Sequence, residues 1–352
     1  MRRKKKTLYK NVVIRVDSGK EIGWGHMMRC FSLAEAIRAK NVKISFISRK
    51  LSGNLCKFIE EKGYDVYYLP NKDLEWKNDA VKTIKIINNL DSVDWLIVDN
   101  YRLDKKWEVI LRPHVKKIMV IDDMTKREHD CDLILDQNLY ENMKECYEGL
   151  IPRDCKKLIG PKFALLRKEF YQIRKNLKKP NGKIKRILVS FGSDDHTNET
   201  MKVLEAINQL NNKQIKVDFV FGISGKIFKN MKKLCSKTSN ITCHYQSMNI
   251  AQLMKKSDLS IGAGGSTTWE RCCLGLPSIV SISAKNQKKL TEVVAKNGCS
   301  VNLGWAKELS SKDYVKAIKS LDNMHISQMS KKCVQLVDGK GAHRVVEEMG
   351  LT

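Results

Sequence analysis

Residues 12–30 read Val12-Val13-Ile14-Arg15-Val16-Asp17-Ser18-Gly19-Lys20-Glu21-Ile22-Gly23-Trp24-Gly25-His26-Met27-Met28-Arg29-Cys30. The β-branched run Val12–Val16 predicts a strand, and the apolar spacing Met27, Phe31, Ala34, Ile37 predicts a helix from Met27 to Arg38. Between them, Gly23 and Gly25 beside a helix start let backbone approach a ligand, and amide groups there attract anions. His26 stands at the junction, where an imidazole gives or takes a proton near neutral pH. The competing reading is a tight glycine turn that His26 merely caps. Asp17, closing the strand, is a second candidate base, against the reading of a turn-capping carboxylate.

Outward from this stretch the same unit repeats. Strands are expected at 42–47, 65–70, 94–99, 117–123 and 133–135, with helices at 51–62, 80–90 and 107–111. Strands alternating with helices predict an α/β fold, a mostly parallel sheet with helices on both sides. Ligands of such sheets bind beyond the carboxyl ends of the strands. That rule singles out His26, Asp99-Asn100-Tyr101 and Asp122-Asp123. The adjacent carboxylates Asp122 and Asp123 read as turn and cap residues rather than a metal pair. The charged segment Arg167–Gly182 reads as a connection. The expected domains are 1–170, a linker at 171–184, and 185–352, with the last helix packing back on the first domain. A second alternation opens with a strand at 187–192 and a helix at 199–210 capped by Thr197 or Asn198. Strands follow at 216–221, 241–245, 259–261 and 278–282, with helices at 227–236, 250–256, 288–297, 311–321, 327–336 and after Gly341.

The second alternation contains Gly262-Ala263-Gly264-Gly265-Ser266-Thr267-Thr268-Trp269-Glu270, again between a strand and a helix. Helix-start amides with the hydroxyls of Ser266, Thr267 and Thr268 suit a diphosphate, and Glu270 can accept hydrogen bonds from ribose hydroxyls. The alternative is that Gly264 and Gly265 only relieve crowding at a strand end. The loop lacks the lysine and spacing of a Walker motif, and Met28 breaks any G-x-G-x-x-G after Gly23, which argues against a nicotinamide or flavin enzyme.

Composition narrows the class. The chain has 352 residues, 42% apolar and 30% charged, as in a globular protein of two domains. No apolar run approaches the roughly 20 residues of a membrane helix. The basic start Met1–Lys6 has no apolar segment behind it, so no export and no membrane insertion are expected. Eleven scattered cysteines without a C-x-x-C pair read as free thiols in a reducing cytoplasm, not a disulfide frame or zinc site. The other histidines show no H-x-x-x-H spacing, which also argues against a metal. The formal charge is +26, but the lysines are spread along the chain without a nucleic-acid module. A solvated surface is the preferred reading, with a field that draws in an anionic small substrate as the alternative.

Together these residues resemble the PseG family, the UDP-2,4-diacetamido-2,4,6-trideoxy-β-L-altropyranose hydrolases of pseudaminic acid biosynthesis. The resemblance rests on Ile14–Asp17 with Gly23-x-Gly25-His26-x-x-Arg29-Cys30, Asp94–Asp99-x-Tyr101, Ile121–Asp123, His129–Asp132, Leu135–Asn138, Gly160-Pro161, Ala164–Phe170, Gly262–Cys272 and Asn286-Gln287, in order along nearly the whole chain. It implies the GT-B fold, two Rossmann-like domains with the active site in the cleft, similar to MurG-type glycosyltransferases but with water as acceptor. It implies metal-independent cleavage of the anomeric C–O bond with inversion and release of UDP; no cofactor is expected, and the free thiols point to a cytoplasmic enzyme. Its active-site residues fall on His26, Tyr101 and Asn286. The expected substrate-binding set is Gly23, Gly25, Arg29, Asp17, Gly264, Gly265, Ser266, Thr267, Thr268 and Glu270. Two places depart from the family pattern: Asn100, where many members have histidine, and Phe191-Gly192-Ser193-Asp194, where many read Phe-Gly-Gly-Ser-Asp. Trp24 is expected to wall the sugar site. The expected partners are a UDP-sugar and UDP, with no nucleic acid, and the chain is expected to be a monomer. Competing readings are a UDP-sugar glycosyltransferase, a hydrolysing UDP-sugar 2-epimerase and, remotely, a basic nucleic-acid-binding protein.

Overall fold

The computed structural model describes residues 10–40, 42–71, 75–177, 183–192, 195, 197–222, 238–245 and 249–351. The expected helix 227–236, the basic start and the stretch 178–182 lie outside the described residues, as do Ser193, Asp194 and His196. The chain divides into two units. One comprises Met1–Gln137, Asn142–Leu165 and Gly341–Thr352; the other comprises Asn138–Glu141 and Leu166–Lys340.

The first unit is built on β1 (Asn11–Val16), β2 (Lys43–Arg49), β3 (Asp65–Leu69), β4 (Trp95–Asp99), β5 (Ile118–Ile121), β6 (Leu133–Asp136) and β7 (Lys156–Ile159). All pair in parallel, in the order β3-β2-β1-β4-β5-β6-β7. Its helices include α1 (Gly25–Arg38), α2 (Cys56–Glu61), α3 (Trp76–Ile87) and α4 (Lys105–Leu111). Alternate residues of β1 feed opposite faces. Val12, Ile14 and Val16 join Met27, Leu33 and Ile37 of α1, while Val13 joins Leu96, Val98 and Trp107 on the other side. A strand covered on both faces therefore reads as a continuous apolar run.

The second unit is built on β8 (Arg186–Ser190), β9 (Lys216–Phe221), β10 (Ile241–Tyr245), β11 (Leu259–Ala263), β12 (Ser278–Ile282) and β13 (Val301–Trp305). These are also all parallel, in the order β10-β9-β8-β11-β12-β13. Its described helices are α5 (Lys168–Arg174), α6 (Glu199–Leu210), α7 (Ile250–Lys256), α8 (Thr267–Cys273), α9 (Lys288–Lys296), α10 (Ser311–Ser320) and α11 (Asn323–Leu336). α5 occupies sequence that reads as a connection. It buries Phe170 and Ile173, and Arg174 donates to the carbonyls of Cys273 (2.7 Å) and Val334 (2.6 Å).

The last helix, α12 (Gly341–Glu348), belongs to the first unit. Val345, Val346, Met349 and Leu351 pack in the same cluster as Ile14 and Leu33. Trp95 donates its indole N–H to the Met349 carbonyl at 3.2 Å. Gly341 sits so close to Ala164 that an added Cβ would lie 2.3 Å from its carbonyl oxygen.

Two local expectations are corrected. α6 is capped by Asp195, whose oxygens accept the Glu199 and Thr200 amides at 2.9 and 2.7 Å. Asn198, the expected cap, is instead in the left-handed region with φ +59° and makes no side-chain cap bond. Nine described cysteines are free, but Cys243 on β10 is disulfide-bonded. It lies half-buried on a strand at the sheet edge, and scattered spacing carries no information about such a pair.

Candidate active site

In the first sheet the strand order reverses between β1 and β4, and ligand sites of open α/β sheets form outside the strand ends at such a point. The chain leaves β1 through a closed loop in which Gly19 and Gly23 exchange backbone hydrogen bonds of 3.3 and 2.8 Å. Gly23 has φ +82°, a conformation glycine adopts without strain. α1 then starts at Gly25, two residues earlier than periodicity predicts, because the apolar pattern begins only one residue after His26.

His26, Arg29 and Cys30 occupy one face of α1 and meet the end of β4. His26 Nδ1 lies 2.6 Å from Asp99 Oδ1. Arg29 grips the same carboxylate with two parallel bonds of 2.7 Å, from Nε and Nη2, and Cys30 Sγ donates to it at 3.4 Å. Arg29 Nη1 reaches on to Asp123 at 3.0 Å, and Tyr101 donates to the other oxygen of Asp123 at 2.5 Å. The His26 and Tyr101 rings meet edge to face, centroids 4.7 Å apart.

Arg29 Nη2 is also 3.1 Å from His26 Nδ1, but that nitrogen cannot both accept from arginine and donate to the carboxylate. The shorter contact to an ionised oxygen is the stronger, so Nδ1 carries the hydrogen and Nε2 is left to accept a proton. Burial opposes ionisation of Asp99, but Arg29 and His26 outweigh it and hold the carboxyl well below the usual range. Tyr101 is pushed above the usual phenol range by burial and by Asp123. Arg29 stays protonated despite its burial because Asp99 and Asp123 face it.

The other strand-end acids do different work. Asp17 bonds to both Nη atoms of Arg15 (2.5 and 3.0 Å), to the Arg49 amide (2.8 Å) and to Asn100 Nδ2 (2.9 Å). Arg15 and Arg49 also pair with Asp79, which takes the Trp107 indole N–H at 3.1 Å. Asp17 thus belongs to a buried ion network and makes none of the bonds of the His26 group. Asn100, the departure from the family pattern, is the link between β4 and that network. Asp122 accepts from Met124 N, Arg127 and Tyr147, and lies 3.8 Å from His129, which in turn bonds Glu108 at 2.7 Å. Trp24 caps α1 without a side-chain cap bond, and its indole donates to the Gly53 carbonyl at 3.0 Å.

In the second unit the strand order reverses between β8 and β11, and the second glycine loop follows β11. Gly262 lies against β8, where an added Cβ would be 2.1 Å from Ser190 O. Gly264 lies against the start of α9, where one would be 2.4 Å from Thr291 Oγ1. Gly265 has φ +128° and open space around it. Ser266 is exposed and makes no cap bond, and Thr267 is half-buried. Thr268 is buried and accepts from Arg271 at 3.2 Å. Glu270 lies 3.9 Å from Arg167, and desolvation raises its carboxyl against the pull of Arg167 and Arg271. Asn286 is exposed on a 3₁₀ turn after β12, and Gln287 accepts the Ser283 amide at 3.0 Å.

Of the expected residues the structure brings together His26, Arg29 and Tyr101 on the first unit, and Gly264–Thr268 with Glu270 on the second. Asp99 and Asp123 complete the first group. The strand-end rule points at both, but nothing in the sequence announces that Arg29 joins them.

Comparison with known proteins follows this geometry. Residues 186–345 match the glycosyltransferase family 28 C-terminal domain. The chain is 28% identical over 305 residues to the uncharacterized protein MJ1062 of Methanocaldococcus jannaschii, covering 84% of this chain but only 60% of that protein's length. It is 28% identical over 291 residues to UDP-2,4-diacetamido-2,4,6-trideoxy-beta-L-altropyranose hydrolase of Campylobacter jejuni, covering 82% of this chain and 98% of that protein. Among solved structures, MurG of Acinetobacter baumannii superimposes with a TM-score of 0.68 at 13% identity, over 97% of this chain and 100% of that one. The chain therefore has the GT-B fold, two parallel-sheet α/β domains of which the second, over residues 186–345, matches the glycosyltransferase family 28 C-terminal domain.

Proposed function

We propose that this protein is a UDP-sugar hydrolase acting on UDP-2,4-diacetamido-2,4,6-trideoxy-β-L-altropyranose or a close relative of it. The observation that carries the reading is the similarity to the Campylobacter jejuni hydrolase along 98% of that protein. The His26–Asp99 pair supplies the chemistry such a reaction needs. Asp99 accepts the Nδ1 hydrogen and favours the imidazolium that forms when Nε2 takes a proton from water. The water oxygen bonds to the anomeric carbon from the face opposite UDP. The anomeric C–O bond breaks, and its electron pair leaves on the β-phosphate oxygen. Backbone amides and hydroxyls at Gly264–Thr268 hold that diphosphate, Glu270 the ribose, and Arg29 keeps Asp99 ionised. Tyr101 and Asn286 orient the sugar or the water. No step calls on a metal or cofactor.

The second reading is a glycosyltransferase, favoured by the match of residues 186–345 to a glycosyltransferase domain. One experiment separates the two. The purified chain is given the UDP-sugar without any acceptor, and free UDP and the anomeric configuration of the sugar are followed by NMR. Stoichiometric UDP with inverted sugar is expected. UDP release that appears only once a sugar or lipid acceptor is added would establish the transferase instead.

A further inference from the structure

Three cysteines far apart in sequence converge inside the second unit. Cys272 lies on α8, Cys299 between α9 and β13, and Cys333 on α11. Their sulfurs all lie within 4.8 Å of one another, and each residue is 2% exposed or less. The group contains no histidine, aspartate or glutamate. Cys333 Sγ points at the Cys299 carbonyl, 3.2 Å away. We propose that Cys272, Cys299 and Cys333 form a three-thiolate site for a soft monovalent metal ion, copper(I).

Donor chemistry selects the ion. All-sulfur sets favour copper(I), zinc and iron–sulfur clusters over harder ions. Structural zinc is almost always four-coordinate, and among the described residues no fourth ligand joins these three. Copper(I) accepts three. Thiolate–metal bonds of about 2.3 Å set sulfur–sulfur separations of about 4 Å, within the limit the three already meet.

Charge also fits. Three thiolates with one monovalent ion carry two negative charges into the core, a costly burial unless cations stand by. Arg271, next to Cys272, is buried, and among the described residues its guanidinium hydrogen-bonds two neutral oxygens, the Ala263 carbonyl and the Thr268 hydroxyl. Its Nε has no partner. Glu270 acts on this buried cation through space without a hydrogen bond, and thiolates beside it add negative charge that offsets its burial. Lys332 is the second cation, acting on Cys299 from beside Gly298. Binding displaces three thiol protons to solvent and changes no oxidation state. The proposal does not rest on the reaction proposed above.

The test uses the full chain, reduced and metal-free under anaerobic conditions, titrated with copper(I) against the chromophoric chelator bicinchoninate. One equivalent per chain is expected to be withheld from the chelator, and X-ray absorption is expected to show three sulfur neighbours. Cys299→Ser and Cys333→Ser should lose more than the roughly 10–100-fold that removal of an outer partner costs a metal site. Cys131→Ser and Cys273→Ser should keep wild-type affinity. Equal competition by wild type and a folded Cys333→Ser variant overturns the proposal. If the serine variants do not fold, X-ray absorption on the wild type decides, and two-coordinate copper or nitrogen and oxygen neighbours overturn it. A disulfide within the trio, found by peptide mapping of protein never exposed to reductant, also overturns it.

Discussion

At the scale of residues, the decisive pair is His26 and Asp99. On the proposed reaction, His26→Ala removes the proton acceptor but leaves the second unit's loop intact. UDP release is expected to fall by roughly 10²–10⁴-fold with UDP affinity nearly unchanged, read from single-turnover rates and calorimetry. Asp99→Asn keeps the shape but not the charge. It should lower kcat comparably and also lower the melting temperature, because among the described residues Asp123 is then the one carboxylate left paired with Arg29. Wild-type turnover in His26→Ala would remove histidine from the mechanism. His129 makes a separate prediction. Burial opposes its charge, but Asp122 and Glu108 prevail and raise it to about 9. An unfolded histidine titrates near about 6.5, so the stability His129 contributes is complete below that pH and is lost as pH rises through about 9. Urea midpoints should therefore fall across this window by an amount equivalent to about 3 kcal/mol. His129→Gln should flatten the fall, and an unchanged slope would contradict the assignment.

At the scale of elements, the glycines after β11 have separable jobs. Gly262→Ala drives a methyl into the backbone of β8, so it should destabilise the second unit by roughly 1–3 kcal/mol or more. Gly264→Ala meets the Thr291 hydroxyl and Gln287 at the head of α9. That contact can yield by a small helix shift, so UDP affinity should drop more than stability, a contrast measured by calorimetry beside thermal melts. What the sequence disclosed follows the same physics. β1, α1 and β4 were legible because both faces of the sheet are covered, which makes the apolar pattern continuous. β7 and β13 were not. Each is at a sheet edge, Lys156 and Lys157 of β7 are exposed, and β13 pairs with β12 through an irregular register. α5 was hidden by its charges, with Phe170 and Ile173 too few to set a period. Within the candidate site, strand-end position marked Asp99 and Asp123. Their partner Arg29 was not legible as such, because the contacts span 70 and 94 residues.

At the scale of the whole molecule, the chain carries a formal charge of +26. Among the described residues no helix is long and apolar enough to cross a membrane. An excess of cations favours association with a nucleoside diphosphate at long range, so the association rate of UDP should fall as salt rises, with a much smaller change in dissociation rate. Stopped-flow measurements at several ionic strengths check this. The return of α12 to the first unit makes a further prediction. A chain ending at Lys340 would uncover Ile14, Leu33 and Trp95, and the first unit should lose cooperative unfolding while residues 166–340 keep theirs. Limited proteolysis read by mass spectrometry distinguishes the two.

That return also bears on synthesis. Domains generally fold as units while the ribosome is still working. Here the first sheet is translated early, yet the helix that closes one of its faces emerges only after the entire second unit. The second unit can finish while the first still exposes the apolar groups that α12 covers. The first unit is therefore begun first and completed last.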